Sequence, residues 1–309
     1  MSFWKIIFRS LVLFLFVLAI SCQDRERPKK VSLYKRSITT KDAQIDVYHE
    51  KVLKFGFDLR LGPKEDVEIY SPFLRYLEES TGYRFTIKFT ERYEDTVRNL
   101  GKGITDLAAI GSVNYIIAKN KYNVGCLAMG LNYDGRPEYR AVIFTKPDSP
   151  IKSLKDLRGK SFAFGDRFST QGHVIPRKML EDAGLSLLDL KNYAFTGSHT
   201  NTVRAVINGE YDAGGVQDSL ANRLAQEKRI RIIAVSKPYP SSLIAYNKGV
   251  LPSVIDDIKK ALFSLEPMGK DASFLKNWDK TEMPGGFTEC SEEMLKEIES
   301  LVIRYKLLR

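Results

Sequence analysis

Residues 105–120, TDLAAIGSVNYIIAKN, decide the fold. Leu107–Ile110 form a short unbroken apolar run, as a strand buried on both faces does. Gly111 then breaks the pattern, and Ser112 opens a helical stretch. A buried strand that turns within two residues into a helix is a β-to-α corner. The same unit recurs outward in both directions. VLKFGF (52–57) reads as a strand, and SPFLRYLEEST (71–81) as a helix with Ser71 as N-cap and Pro72 at its first position. YRFTIKF (83–89) alternates as a strand, ERYEDTVRNLGKG (91–103) is a helix closed by glycine, and NVGCLAMGL and YRAVIFTK are strands. The PDSP stretch at 147–150 punctuates the chain. A second α/β series follows: SFAFG, HVIPRKMLEDAG, NYAFTG, NTVRAVING, YDAGGV, SLANRLAQ and IRIIAVS. The tail after Pro252 reads as helical. Alternating strands and helices predict parallel-rich sheets with helices on both faces, hence an α/β protein of two lobes.

The N-terminus bears on location. Lys5 and Arg9 precede the short apolar run LVLFLFVLAIS, which ends at Cys22. A spanning helix needs about 20 apolar residues, so the run reads as an export signal over 1–21. Ala19-Ile20-Ser21-Cys22 resembles the bacterial lipobox, which implies cleavage before Cys22 and lipidation of that cysteine. Residues 22–50 are polar and basic and read as a flexible tether. The net charge is +10, but an exported chain does not meet the genome, so nucleic acid is not an expected partner. Cys126 and Cys290 remain, and the sequence leaves open whether they pair or stay as buried thiols.

Ligands in open α/β sheets sit beyond the carboxyl ends of the strands. Four such corners carry small polar residues: Tyr70-Ser71-Pro72, Gly111-Ser112, Ser169-Thr170-Gln171-Gly172 and Gly197-Ser198-His199-Thr200-Asn201. Any one of them reads equally as an ordinary helix cap. STQG and GSHTN, however, offer more donors than one cap needs. First-turn amides lack internal partners and carry partial positive charge, so a small anion fits there. Gln217 and Asp218 end another strand and face the same cleft. No GxSxG elbow, phosphate loop, HExxH or Cys/His cluster is present. No enzyme activity, cofactor or metal is therefore expected.

Five motifs, in order, resemble the substrate-binding proteins of ABC importers for phosphonate, phosphite and phosphate. They are Tyr70-Ser71-Pro72-Phe73-Leu74, Asp106–Gly111, Phe164-Gly165-Asp166 with Ser169–Gly172, Gly197-Ser198-His199 and Gly209–Gly214. The resemblance covers about 52–265. It implies a two-lobed periplasmic binding protein of type II, with hinge strands near 141–146 and 234–246. Lobe 1 would span 51–143 and 241–309, and lobe 2 144–240. It implies a monomer that delivers its ligand to an ABC permease. The implied ligand residues are Ser169, Thr170 and His199 with Tyr70 opposite, joined by Ser112, Gln171, Gln217 and Asp218. Gln171 replaces the third serine of the family's Ser-Thr-Ser run, and Ile110 stands where a pocket tyrosine is often found. Two alternatives keep the same fold: a ligand-sensing receptor domain for a membrane signalling protein, and a binding protein for a different small anion, which Gln171 and Ile110 motivate.

Overall fold

The structure is a computed structural model, which describes residues 52–89 and 95–308. The expected signal peptide, Cys22 and the tether lie outside the described residues. Strand β1 (Val52–Phe57) leads into helix α1 (Pro63–Thr81). The helix starts nine residues before the expected position. Gly62 is the cap residue, with a φ of 142° that suits glycine, and Pro63 takes the first turn. The carboxylate of Asp66 accepts the backbone N–H groups of Arg60, Leu61 and Gly62. Ser71 and Pro72 therefore lie inside the helix, where the Ser71 hydroxyl donates to Val67 O at 2.7 Å. Gly82, left-handed at φ 75°, ends the helix.

Six strands form the first sheet, in the order β13-β4-β12-β3-β1-β2. They are β1, β2 (Arg84–Ile87), β3 (Leu107–Ile110), β4 (Gly125–Leu131), β12 (Leu243–Tyr246) and β13 (Gly286–Thr288). The second sheet runs β10-β6-β9-β7-β8. It comprises β6 (Ala141–Thr145), β7 (Ser161–Phe164), β8 (Asn192–Phe195), β9 (Ala213–Gln217) and β10 (Arg231–Val235). Both sheets are mixed rather than parallel-rich. β1 pairs in parallel with β2 and β3, and β7 with β8 and β9, but β6 and β12 run antiparallel to their neighbours. These two strands enter each sheet from the other lobe, which reverses their direction.

The crossing is a short antiparallel ladder of β5 (Glu138–Tyr139) with β11 (Tyr239–Pro240). It lies just outside the expected 141–146, of which Ala141–Thr145 instead form a buried interior strand of the second sheet. The remaining helices are α2 (Asp95–Gly101), α3 (Ser112–Tyr122), α4 (Ile175–Asp182), α5 (His199–Ile207), α6 (Asp218–Gln226), α7 (Pro252–Ser264) and α8 (Glu292–Arg304). In lobe 1, α1 buries Ile69, Tyr70, Phe73, Leu74 and Leu77. Phe73 stacks on Trp278 at 4.9 Å, and Tyr70 on Phe57 at 4.9 Å. This fixes the segment around 278–283 against lobe 1. Cys126 of β4 is bonded to Cys290, which precedes α8.

Candidate functional site

The lobe 1 wall is built at the carboxyl ends of β1 and β3. Asp58 follows β1 and is fully buried. Its carboxylate accepts Gly111 N at 2.9 Å and Asn114 Nδ2 at 2.8 Å, which ties the end of β1 to the start of α3. Gly111, in an extended conformation, is the cap residue of α3, so Ser112 is its first helical residue rather than its cap. The Ser112 hydroxyl is directed at the carbonyls of Pro240 and Ser241. Two residues past Asp58, the buried Arg60 guanidinium donates to Ser242 Oγ and pairs with Glu282. Ser242 Oγ in turn donates to the same Glu282 carboxylate.

Lobe 2 supplies the opposite wall. Gly165 N donates to Gly172 O, and a Cβ on Gly165 would lie 3.2 Å from the Gly172 Cα. That backbone contact folds the 165–172 loop tightly before a single wide turn, Thr170–Val174, that runs into α4. Ser169 Oγ accepts Gly172 N at 2.9 Å and so acts as the cap of this turn. Thr170 and Gln171 are buried, and Gln171 Nε2 has no protein partner. His173 is directed away, with Nδ1 on Arg167 O and its ring edge-on to Phe164 and Phe195. Burial, aided by the charges of Arg177 and Arg167, pushes its pKa down to about 4.

The two walls touch directly. Val113 N, in the first turn of α3, donates to Thr170 Oγ1 at 3.0 Å. His199 N, at the start of α5, donates to Arg60 O at 3.1 Å. The His199 imidazole is buried with Nδ1 unpartnered. Burial first, and then the Arg60 charge, push its pKa down to about 3, so the ring is neutral at physiological pH. Tyr139 of β5 is buried beside Thr170 and Ser112. Burial pushes its pKa up to about 12, against the pull of hydrogen bonds from both residues and of the Arg60 charge.

Next to this contact opens a chamber of about 370 Å³ between the lobes, bordered by Tyr139, Gln217, Asp218, Lys280 and Glu282. Asp218 accepts Arg140 N at 2.9 Å, and burial raises its pKa. Gln217 Nε2 donates to Ser219 Oγ, while Gln217 Oε1 is unpartnered.

Of the expected residues, Ser112, Thr170 and His199 thus meet at the lobe contact, with Gln171 buried beside Thr170 in the chain. Gln217 and Asp218 border the chamber. Ser169 caps a turn. The Tyr70 ring packs among Phe55, Phe57, Phe73 and Trp278, and its hydroxyl, with pKa raised by burial, feels the charges of Arg60, Asp66 and Asp58. Sequence reasoning missed Asp58, Arg60, Tyr139, Ser242 and Glu282. The strand-end rule would have found the first two had α1 been started at Gly62-Pro63.

This two-lobed chain has known counterparts. The phosphate-import protein PhnD of Mycolicibacterium smegmatis is 26% identical over 259 residues, covering 79% of this chain and 77% of the relative. The phosphonates-binding periplasmic protein of Escherichia coli is 26% identical over 219 residues, covering 68% of this chain and 64% of its own length. The chain thus spans just under two thirds of that relative. Among solved structures, PhnD1 of Prochlorococcus marinus in complex with methylphosphonate matches with a TM-score of 0.75 at 19% identity, over 83% of this chain and 98% of that one. At that identity the likeness shows the fold. The profile of the family described as "ABC transporter, phosphonate, periplasmic substrate-binding protein" matches residues 55–295. The chain belongs to this family of periplasmic substrate-binding proteins.

Proposed function

We propose that the chain is the lipid-anchored binding component of an ABC importer and holds a phosphonate, phosphite or phosphate between its lobes. One observation carries the reading. The first turns of α3 and α5, Thr170 and the neutral His199 converge from opposite lobes on a buried contact. Helix N-termini and hydroxyls bind oxyanions by dipoles and hydrogen bonds, without a matching full charge. Three nearby buried polar atoms, Gln171 Nε2, His199 Nδ1 and Gln217 Oε1, have no protein partner. Ligand oxygens would satisfy the donors among them and remove the cost of leaving them unpaired.

In this reading Thr170, Gln171, His199 and the amides of α3 hold the oxyanion, and Ser112 and Tyr139 shape its floor. The chamber bordered by Gln217 and Asp218 receives whatever substituent the phosphorus carries. Ser169 acts by holding the turn, and Tyr70 by packing behind the wall. The cross-lobe bonds form only when the lobes meet, so a ligand that touches both walls shifts the population towards closure, and the permease recognises the closed form. The Cys126–Cys290 bond accords with an oxidising compartment outside the cytoplasm. Lipidation at Cys22 rests on the sequence alone.

Isothermal titration against phosphate, phosphite, methylphosphonate and aminoethylphosphonate tests the reading, with sulfate and methanesulfonate as further arms. Binding of a phosphorus oxyanion that weakens sharply in the Thr170→Ala, His199→Ala double variant is the expected result. No heat with any phosphorus ligand, or tighter binding of the sulfur anions, would overturn it.

A further inference from the structure

Arg60 and Glu282 form a buried ion pair inside the interlobe contact. Arg60 is 6% exposed and Glu282 5%. The Arg60 carbonyl receives the His199 N–H from the opposite lobe, and Glu282 borders the chamber. The pair is a built feature. Ser242 Oγ bridges it, accepting from Arg60 and donating to Glu282. Ser241 Oγ donates to the Glu282 carbonyl at 2.8 Å. Trp278 Nε1 donates to Met283 O at 2.7 Å and locks the turn that carries the carboxylate. Buried ion pairs contribute little net stability, because desolvation offsets most of the attraction. Stability is therefore a poor reason for this pair to stand at the carboxyl ends of the strands, where a ligand would lie.

We propose that Glu282 is a specificity-determining residue: it neutralises Arg60 from within, so that the cleft selects the singly charged form of its oxyanion over the doubly charged form. This rests on the oxyanion reading above. The charges around the pair support it. Asp58 lies on the β1–α1 connection and Asp66 in the first turn of α1, and each carboxylate is already met by amide N–H groups. His199, facing from α5, is neutral, as are Tyr70 of α1 and Tyr139 of β5. Asp218 faces the chamber from α6, and Asp279 and Lys280 flank Glu282 on its own turn. Arg60 is therefore balanced by Glu282. Amide and hydroxyl dipoles can hold one negative charge there, but a second charge meets the Glu282 carboxylate in a site where like charges are poorly screened.

The test is a titration of the full-length protein with methylphosphonate from pH 5.5 to 9. Phosphorus oxyanions of this type lose their second proton within that range. Monomethyl methylphosphonate, which carries one charge throughout, serves as the control. Wild-type affinity for methylphosphonate should fall as the dianion forms, while affinity for the monoester holds steady. Glu282→Gln should raise dianion affinity by about 10–100-fold, flatten the pH profile and change monoester binding far less. A structural role alone would weaken both ligands alike and leave the profile unmoved. That result overturns the inference and leaves the oxyanion reading standing. A wild-type protein that binds methylphosphonate more tightly at pH 9 than at pH 5.5 overturns it too, whether or not the variant folds. Binding of no phosphorus oxyanion by the wild type overturns both readings together.

Discussion

Thr170→Val separates a closing contact from a folding contact. The substitution keeps the branched shape and removes the hydroxyl that accepts Val113 N at 3.0 Å. Val113 and Thr170 are both buried and come from different lobes. With the lobes closed, valine leaves the amide at the start of α3 without a partner and out of water. An unsatisfied buried donor costs about 1–3 kcal/mol. With the lobes apart, water reaches the same amide, so the cost falls on the closed state alone. Every 1.4 kcal/mol is tenfold in an equilibrium constant, so ligand affinity should drop by about 5–150-fold. Direct contact of Thr170 with the oxyanion would push the loss to the upper end. Titration calorimetry with methylphosphonate reads the affinity, X-ray scattering the closure, and scanning calorimetry of the free protein its unfolding. The expected pattern is weaker binding and a more open average shape, with each lobe's unfolding unchanged. Unchanged affinity would refute the reasoning. So would a fall in thermal stability as large as the loss in binding, because the contact would then belong to the fold.

Replacing both Cys126 and Cys290 with serine should lower unfolding stability by about 2–4 kcal/mol in urea denaturation and leave ligand affinity unchanged. Cys126 is near the start of β4, whose far end, Leu131, is five residues away or roughly 16 Å in a strand, and the next residue, Asn132, borders the chamber. An affinity loss would refute that separation. Gly172→Ala places a Cβ 2.8 Å from Ser169 Oγ and 3.1 Å from Gly165 Cα, so it should weaken binding as well as stability, both read by ligand-dependent thermal shift. Tyr305, just after α8, lies under the Arg177 guanidinium at 4.0 Å and donates to Glu181 of α4. Tyr305→Ala should cost about 3 kcal/mol by calorimetry. His173 and His199 have pKa values near 4 and 3, against 6.5 unfolded. Below pH 6.5 the unfolded chain takes up their protons first, so stability falls with acid by up to about 1.4 kcal/mol per pH unit for each. Asp66, raised to about 6, opposes this between pH 6 and 4, where the native state binds its proton first. Urea midpoints at pH 7, 5 and 4 should fall less steeply in His199→Gln, and an identical slope would refute the assignment.

The sequence was most readable where one strand meets one helix. Leu107–Ile110 and Ser112–Tyr122 stand where the apolar run and the glycine put them, because both signals are local. The start of α1 was misplaced because Ser71-Pro72 imitates a helix start. The true start uses Gly62-Pro63 and a carboxylate three residues further on, which reaches back to three amides. Thr170 and His199 could be singled out because donors cluster around them. Their partners could not, since Val113 and Arg60 are 57 and 139 positions away and contribute backbone atoms that leave no trace in residue type. Glu282 was invisible for a related reason. A lone glutamate in a polar stretch reads as solvated surface, and only the packing of Trp278 on Phe73 brings it beneath the lobe contact.

In the proposed reading, the residues that build the site's floor also belong to the ladder that joins the lobes. Ser112 Oγ is directed at Pro240 O and Ser241 O, and Pro240 pairs with Glu138 in the crossing ladder. Ser241 N donates to Pro137 O, and the next residue, Ser242, holds Arg60. Tyr139, on the other strand of that ladder, lies against Thr170 and Ser112. A rotation about residues 137–140 and 239–242 therefore cannot leave the floor unchanged, because it moves the acceptors of Ser112 and the bridge of the Arg60–Glu282 pair. Ligand and hinge would then be coupled through shared hydrogen bonds, with no need for a relay between distant sites. In the proposed reading, an anion held against Thr170 and His199 would fix the floor in one arrangement, the one in which the lobes are closed.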